Sequence, residues 1–168
     1  ATLVECGLIP GSELMRMNTG HLLAEHPSPK VPGVEFVSGS LGHGLSLGAG
    51  IALANKIDGT DSRTLVLLGD GECYEGSVWE AVQFASHHGL QNLVAIVDLN
   101  GLITHGPTRD INSFRDMAAR WESAGWVTKQ VDGHDFAALQ AAFSAPRETR
   151  DAPLAIIAST VKGKGVQN

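Results

Sequence analysis

Two apolar runs in this chain each end in a residue that can hold a cation. The run RTLVLL at 63–68 leads into Gly69-Asp70-Gly71, and NLVAIVDL at 92–99 leads into Asn100-Gly101. A carboxylate and an amide oxygen are hard ligands of the kind Mg2+ takes, and so few protein ligands leave positions for phosphate oxygens and water. Gly71 lets backbone come close to a phosphate, and the helix expected next offers free N–H groups and a favourable dipole. The chemistry these residues suit is a metal-bridged diphosphate. The plainer reading is that Asp-Gly and Asn-Gly are ordinary turn pairs, and Asn100-Gly101 would also suit a hairpin turn. What favours a site is the pairing. One helix and one strand fit between Asp70 and Asn100, so both side chains would arrive at the same rim of a sheet.

The elements that must hold this rim are legible as an alternation. Residues 34–38 read as short and extended. The Gly-, Ala- and Leu-rich stretch 42–57 reads as a tightly packed helix, and 63–68 as a buried strand. Residues 76–88 are predicted helical with Gly89 as the C-terminal cap, and 92–99 form the second buried strand. A helix over 113–123 with Ser113 as N-cap, a strand over 126–131, a helix over 136–143 and a strand over 154–160 complete the series. Ahead of them, ATLVECGLIPG reads as a helix end stopped by Gly7 and Pro10, and HPSPKVPG at 26–33 as a loop. Strands alternating with helices predict an α/β fold, a parallel sheet covered by helices on both faces. The near-continuous apolar runs suit doubly buried strands. In such folds ligands sit beyond the carboxyl ends of the strands, where Asp70 and Asn100 fall.

The bulk properties exclude several classes. With 168 residues, 43% hydrophobic and 18% charged, the chain can bury a core. A net charge of -6 gives no electrostatic case for nucleic acid or an anionic membrane. No apolar run approaches the roughly 18 residues of a membrane span. Cys6 and Cys73 make no zinc spacing and no disulfide framework, so a cytoplasmic location is expected. The 20 glycines imply tight turns or close backbone approaches.

One pattern competes with the diphosphate reading. The extended stretch 34–38 precedes Gly42-His43-Gly44-Leu45-Ser46-Leu47-Gly48, then a helix, then a strand ending in Asp70. A strand, a glycine-rich turn, a helix and a later acid mimic a nicotinamide-dinucleotide fingerprint. Leu47 stands where that fingerprint has its third glycine, and spacing alone leaves the alternative open.

A longer segment decides between them. GDGECYEGSVWEAVQFASHHGLQNLVAIVDLNG at 69–101 resembles the thiamine-diphosphate motif of the transketolase family, which opens with GDG and closes with asparagine after a helix and a strand. The family's transketolase branch carries EGxVWEA, here Glu75-Gly76-Ser77-Val78-Trp79-Glu80-Ala81. PGVEFVSGSLGHGLSLGAGIALA resembles the family's PGVE…TGxLGQG segment, and WESAGW…VDGHD and TVKGKGV also match. The similarity runs over nearly the whole chain and is nearest to the amino-terminal subunit of split transketolases.

This resemblance implies the diphosphate-binding domain of the thiamine-diphosphate fold. It implies that Asp70 and Asn100 bind Mg2+, or Ca2+ in its place, with the Leu102 carbonyl as third protein ligand. Gly71 would meet the diphosphate through its N–H, with Gly69 and Glu72 in the same cofactor-binding set. Gly39 and Leu41 match backbone positions near the aminopyrimidine. Glu75 matches an acid at the interface between two active sites, and His26 a histidine that helps bind a sugar phosphate. The implied reaction moves a two-carbon ketol unit from a ketose phosphate to an aldehyde; related enzymes act on 2-oxo acids. No glutamate here matches the one that activates the cofactor, which the family carries on a pyrimidine-binding domain. The chain is therefore expected to be a single diphosphate-binding domain over 1–168, incomplete at both ends. It would work with a C-terminal, pyrimidine-binding subunit in an α2β2 heterotetramer. His43 replaces the family's usual glutamine, Ser40 follows Gly39 where many members have proline, and the histidines of the family's earlier segment are absent. These departures bear on substrate more than on cofactor.

Other residues carry plainer expectations. His87 and His88 suit a helix C-terminus, Lys162 and Lys164 a solvated tail, and Cys73 a small packing residue. Trp79 and Phe84 are expected in a core or interface, and His21, His105 and His134 have no assigned partner.

Overall fold

The computed structural model describes residues 1–111, 115–144 and 151–166. Residues 1–40 and 41–168 form two compact units.

The first unit holds α1 (Thr2–Glu5), a short helical turn over Gly11–Arg16, and otherwise loops and turns. Gly7, at φ 71°, ends α1 as expected. The N–H of Leu8 returns to the Leu3 carbonyl at 2.9 Å and that of Gly7 to Val4 at 2.9 Å, which satisfies the last carbonyls of the helix. The stretch 26–33 is a loop, as its prolines require. Residues 34–38, expected to be extended, join no sheet. They follow a turn at Gly33 (φ 81°) and leave Phe36 and Val37 exposed, so no neighbouring strand supplies a ladder.

The second unit runs α2 (His43–Ile57), β1 (Thr64–Gly69), a helical turn (Glu72–Tyr74), α3 (Gly76–His87) and β2 (Leu93–Leu99). It continues through β3 (Leu102–Ile103), β4 (Gly106–Pro107), α4 (Thr108–Ile111), α5 (Met117–Ser123), β5 (Val127–Asp132), α6 (Phe136–Ser144) and β6 (Leu154–Ser159). The sheet order is β1-β2-β6-β5 with every pairing parallel.

One face of this sheet carries the main core. Leu68 of β1 and Val97 of β2 pack with Leu45 of α2, Val82 of α3 and Trp121 of α5. Gly48 of α2 is required by this contact: a Cβ on it would lie 2.4 Å from Val66 Cγ2. The helix can rest on β1 only without a side chain at that position. The other face is covered by α6 alone, through Ala142 against Val94 and Ile156. Both faces therefore carry helices, but unequally. β2 and β6 are buried as expected, whereas β1, at the edge, alternates, with Leu65 and Leu67 exposed at 52% and 70%.

Two local expectations shift. The helix expected from 113 starts at Met117, where Asp116 accepts the Ala119 N–H at 2.9 Å and is the cap; Ser113 lies outside the described residues. Asn100-Gly101 is not a hairpin turn: it precedes the small β3–β4 hairpin, whose turn is Thr104-His105.

Candidate functional site

The parallel register pairs Gly69 with Asp98, so β1 and β2 end side by side. Asp70 follows the first and Asn100 the second. The two ends are joined directly. Asp70 Oδ2 accepts the Gly101 N–H at 2.7 Å, and its Oδ1 accepts the Gly71 N–H at 2.8 Å. Asp70 is 2% exposed and makes no ion pair among the described residues. A buried carboxylate held only by neutral donors is poorly compensated, and each oxygen keeps a lone pair. Asn100 turns its Nδ2 to Asp98 Oδ2 at 3.3 Å, while its Oδ1 accepts the Leu102 N–H at 3.0 Å. Leu102 opens β3 two residues further on. Asp70, Asn100 and Leu102 thus share one corner. The group on offer is one carboxylate, one amide and one backbone carbonyl, a donor set that suits a hard divalent cation needing further oxygens from its ligand.

Gly71 is fixed by packing. Its φ of -66° is open to any residue, but a Cβ would lie 2.2 Å from Ile103 Cγ2. The β3–β4 hairpin folds down over this position. The Gly71 N–H expected for a diphosphate points to Asp70 here, so that contact requires the N–H to be shared.

Glu72 ties the corner to α2. Its Oε1 accepts the Gly42 N–H at 2.9 Å and its Oε2 the Gly69 N–H at 3.2 Å. Gly42 starts α2 at φ 83°, a Cβ there would strike Glu75 Cβ at 2.7 Å, and its carbonyl accepts the Ser77 hydroxyl at 3.2 Å. Glu72 therefore fixes the chain beside Leu41 against the end of β1. Glu75 itself occupies the N-cap position of α3 without capping it, and its side chain is exposed. Trp79 Nε1 donates to the Cys73 carbonyl at 2.7 Å and so anchors the Glu72–Tyr74 turn to α3.

In the first unit, His26 and Gly39 come together. Gly39 has φ 130°, and a Cβ on it would lie 3.0 Å from His26 Cδ2. Glycine at 39 serves both the backbone angle and the histidine ring.

The dinucleotide pattern loses its context. Residues 34–38 form no strand ahead of Gly42, Gly48 rests on Val66, and the Asp70 carboxylate is turned to the backbone of residues 71 and 101.

Comparison with known families places the chain as a whole. The family model "Transketolase, thiamine diphosphate binding domain" matches residues 13–168. The chain belongs to the transketolase family. Transketolase-like protein 2 of Bos taurus is 45% identical over 170 residues, spanning 100% of this chain and 27% of that protein. An apulose-4-phosphate transketolase subunit of Phocaeicola vulgatus is 42% identical over 147 residues, 88% of this chain and 52% of that one. The solved transketolase of Pichia stipitis in complex with sedoheptulose-7-phosphate superposes with a TM-score of 0.82 at 33% identity, covering 89% of this chain and 24% of that one. The chain thus spans from about a quarter to about half the length of these relatives.

Within this transketolase domain, sequence reasoning missed Ile103 and the way Glu72 works. Glu72 stands 30 positions from Gly42, a separation no local pattern reveals, and the two-residue strands of the hairpin carry no periodicity. Cys73 is fully buried, and burial, helped by the Glu72 and Asp70 carboxylates, pushes its thiol up to about 12. It is a neutral packing residue, as expected. His134 acquires a partner: its Nε2 accepts the Val161 N–H at 2.8 Å, tying the turn after β5 to the end of β6. Gly89 caps α3 as expected, at φ 54° with the Leu90 N–H returning to the Ala85 carbonyl at 3.0 Å, and Lys56 Nζ donates to the carbonyls just beyond, of His88 at 2.7 Å and Gly89 at 2.9 Å. His88, at the end of that helix, sets its ring at a tilt against Phe84, with centroids 4.3 Å apart. Trp79 lies beside Trp121 in the core, centroids 5.7 Å apart. Lys162 and Lys164 are exposed, and no helix among the described residues is long and apolar enough to cross a membrane.

Proposed function

We propose that this chain is the diphosphate- and Mg2+-binding part of a thiamine-diphosphate-dependent transketolase, which moves a two-carbon ketol unit from a ketose phosphate to an aldehyde acceptor. The observation that carries the reading is the buried Asp70 carboxylate, held only by the backbone N–H groups of Gly71 and Gly101 beside Asn100 and Leu102, at the ends of adjacent parallel strands. When bound, thiamine diphosphate supplies the nucleophilic carbon for the ketose carbonyl. Asp70, Asn100 and the Leu102 carbonyl hold Mg2+, or Ca2+ in its place, and through it the diphosphate. Gly71 and Gly69 let backbone approach that group, and Glu72 keeps Gly42 and Leu41 in place beside it. Gly39 and Leu41 line the cofactor with backbone, and His26 binds the substrate. Sugar phosphates are supported by the names of two relatives, one acting on apulose-4-phosphate and one solved with sedoheptulose-7-phosphate.

The second half of the active site comes from a C-terminal, pyrimidine-binding subunit, in an α2β2 assembly. Support comes from the match to a relative that is itself one subunit of a transketolase and from Glu75, an exposed carboxylate without a cap bond, free to face another chain. The two unpaired cysteines fit a cytoplasmic setting. Mixing the chain with such a C-terminal subunit is expected to generate ketol transfer that neither shows alone. Full activity of the isolated chain would contradict the division of labour, and turnover of 2-oxo acids alone would redirect the substrate assignment.

A further inference from the structure

An asparagine in a cation site carries an ambiguity that an aspartate does not. Only one end of its amide can bind the cation, and the other repels it. Something must decide which end faces the site. Two neighbours of Asn100, and a third residue behind one of them, bear on that choice. Asp98, near the end of β2, accepts from Asn100 Nδ2 at 3.3 Å through its Oδ2. The Leu102 N–H reaches Asn100 Oδ1 at 3.0 Å. Thr160, just past β6, donates its hydroxyl to Asp98 Oδ1 and its N–H to the Leu99 carbonyl, the latter at 3.2 Å. A carboxylate only accepts and a backbone N–H only donates. Asp98 and Leu102 therefore demand the same orientation, with Nδ2 toward Asp98 and Oδ1 toward the corner that holds Asp70. The Oδ1 keeps a second lone pair after the Leu102 bond.

We propose that Asp98 is a positioning residue for the cation site. It locks the Asn100 amide with its oxygen turned to the metal, and the Thr160 hydroxyl locks Asp98 in turn. The inference rests on the proposed role of the Asp70–Asn100 corner. Asp98 works through its acceptor geometry, because the oxygens of its side chain are turned to Thr160 and Asn100. An amide oxygen at position 98 would do the same work without the charge.

The test uses the complete enzyme, loaded with thiamine diphosphate and joined to its partner subunit, with Mn2+ as the probe, read from the paramagnetic resonance signal of free Mn2+. Outer partners of metal ligands typically change affinity about 10- to 100-fold when removed. Asp98→Ala is expected to weaken Mn2+ by about tenfold or more, and Asp98→Asn to restore most of that affinity. The thermal midpoint measured without metal should separate the two variants far less than their Mn2+ constants do. Thr160→Val, which keeps the carboxylate and frees it to rotate, is expected to weaken Mn2+ in the same direction by less, and it carries the test if Asp98→Ala does not fold. Unchanged Mn2+ binding in Asp98→Ala, or in Thr160→Val where it stands in, overturns the inference. Equal loss in Asp98→Asn and Asp98→Ala also overturns it, since charge would then be the agent. No Mn2+ binding by the unsubstituted enzyme overturns the site reading itself, and this inference with it.

Discussion

Substituting Gly71 by alanine puts the packing of the corner under direct stress. The position has φ -66° and ψ -31°, so alanine meets no backbone penalty and should gain a few tenths to about 1 kcal/mol by restricting the unfolded chain. Against this, its methyl would lie 2.2 Å from Ile103 Cγ2. Ordinary carbon contact is about 3.5–4.0 Å, so the hairpin must move by more than about 1 Å or the side chain must leave its rotamer. Overpacking of this kind costs about 1–3 kcal/mol. The net expectation is a loss of about 1–2 kcal/mol, read as a shift of the urea midpoint. It should come with weaker cofactor binding, because the same hairpin carries Leu102. The mechanism is specific to one neighbour and therefore has a partner variant. In an Ile103→Ala background the 2.2 Å clash with Cγ2 is removed and only the Cβ contact at 3.3 Å remains, so Gly71→Ala should cost much less there, with a coupling above about 0.5 kcal/mol. Equal destabilisation in both backgrounds would refute the packing argument and return Gly71 to a role set by the ligand alone.

Other expectations are narrower. Glu72→Ala removes the acceptor shared by the N–H groups of Gly42 and Gly69; it should lower stability by about 1–3 kcal/mol and raise the cofactor dissociation constant, and an unchanged melting curve would show the clamp to be idle. Cys73 should resist alkylation in the native chain at pH 8 while Cys6, which is exposed, reacts. Because the folded thiol titrates at about 12 against an ordinary value of 9.0, its proton is held more tightly in the fold. The stability this contributes is complete below pH 9 and lost as pH rises towards 12, so the urea midpoint of Cys73→Ala should fall less steeply across that window than that of the unsubstituted chain.

What the sequence discloses here is set by distance along the chain. The runs at 63–68 and 92–99 are apolar because both strands lie against α2, α3 and the rest of the core. Each ends where a polar residue leaves the sheet, so Asp70 and Asn100 were legible together. Adjacency in the sheet followed from the intervening α3. The β3–β4 hairpin was not legible, because two-residue strands have no period, and with it went Ile103 and the true reason for Gly71. The Glu72 clamp joins residues in different elements, and nothing local marks it. The stretch 34–38 looks extended by composition, yet a strand needs a neighbour, and none is present among the described residues. Residues 1–40 form a unit of their own, a division that no composition shift announced. The outer face of β1 was expected to be covered because its residues are apolar; Leu65 and Leu67 share the face that α6 covers, but α6 packs over β5, β6 and β2 and leaves the edge strand β1 exposed.

The central claim is that the Asp70–Asn100 corner holds a metal-bridged diphosphate. Its most direct test is equilibrium binding of thiamine diphosphate to the complete enzyme, titrated with Mg2+, for the unsubstituted protein and Asp70→Ala. The predicted result is Mg2+-dependent binding that Asp70→Ala abolishes. Binding that ignores Mg2+, or that survives the substitution unchanged, would contradict it.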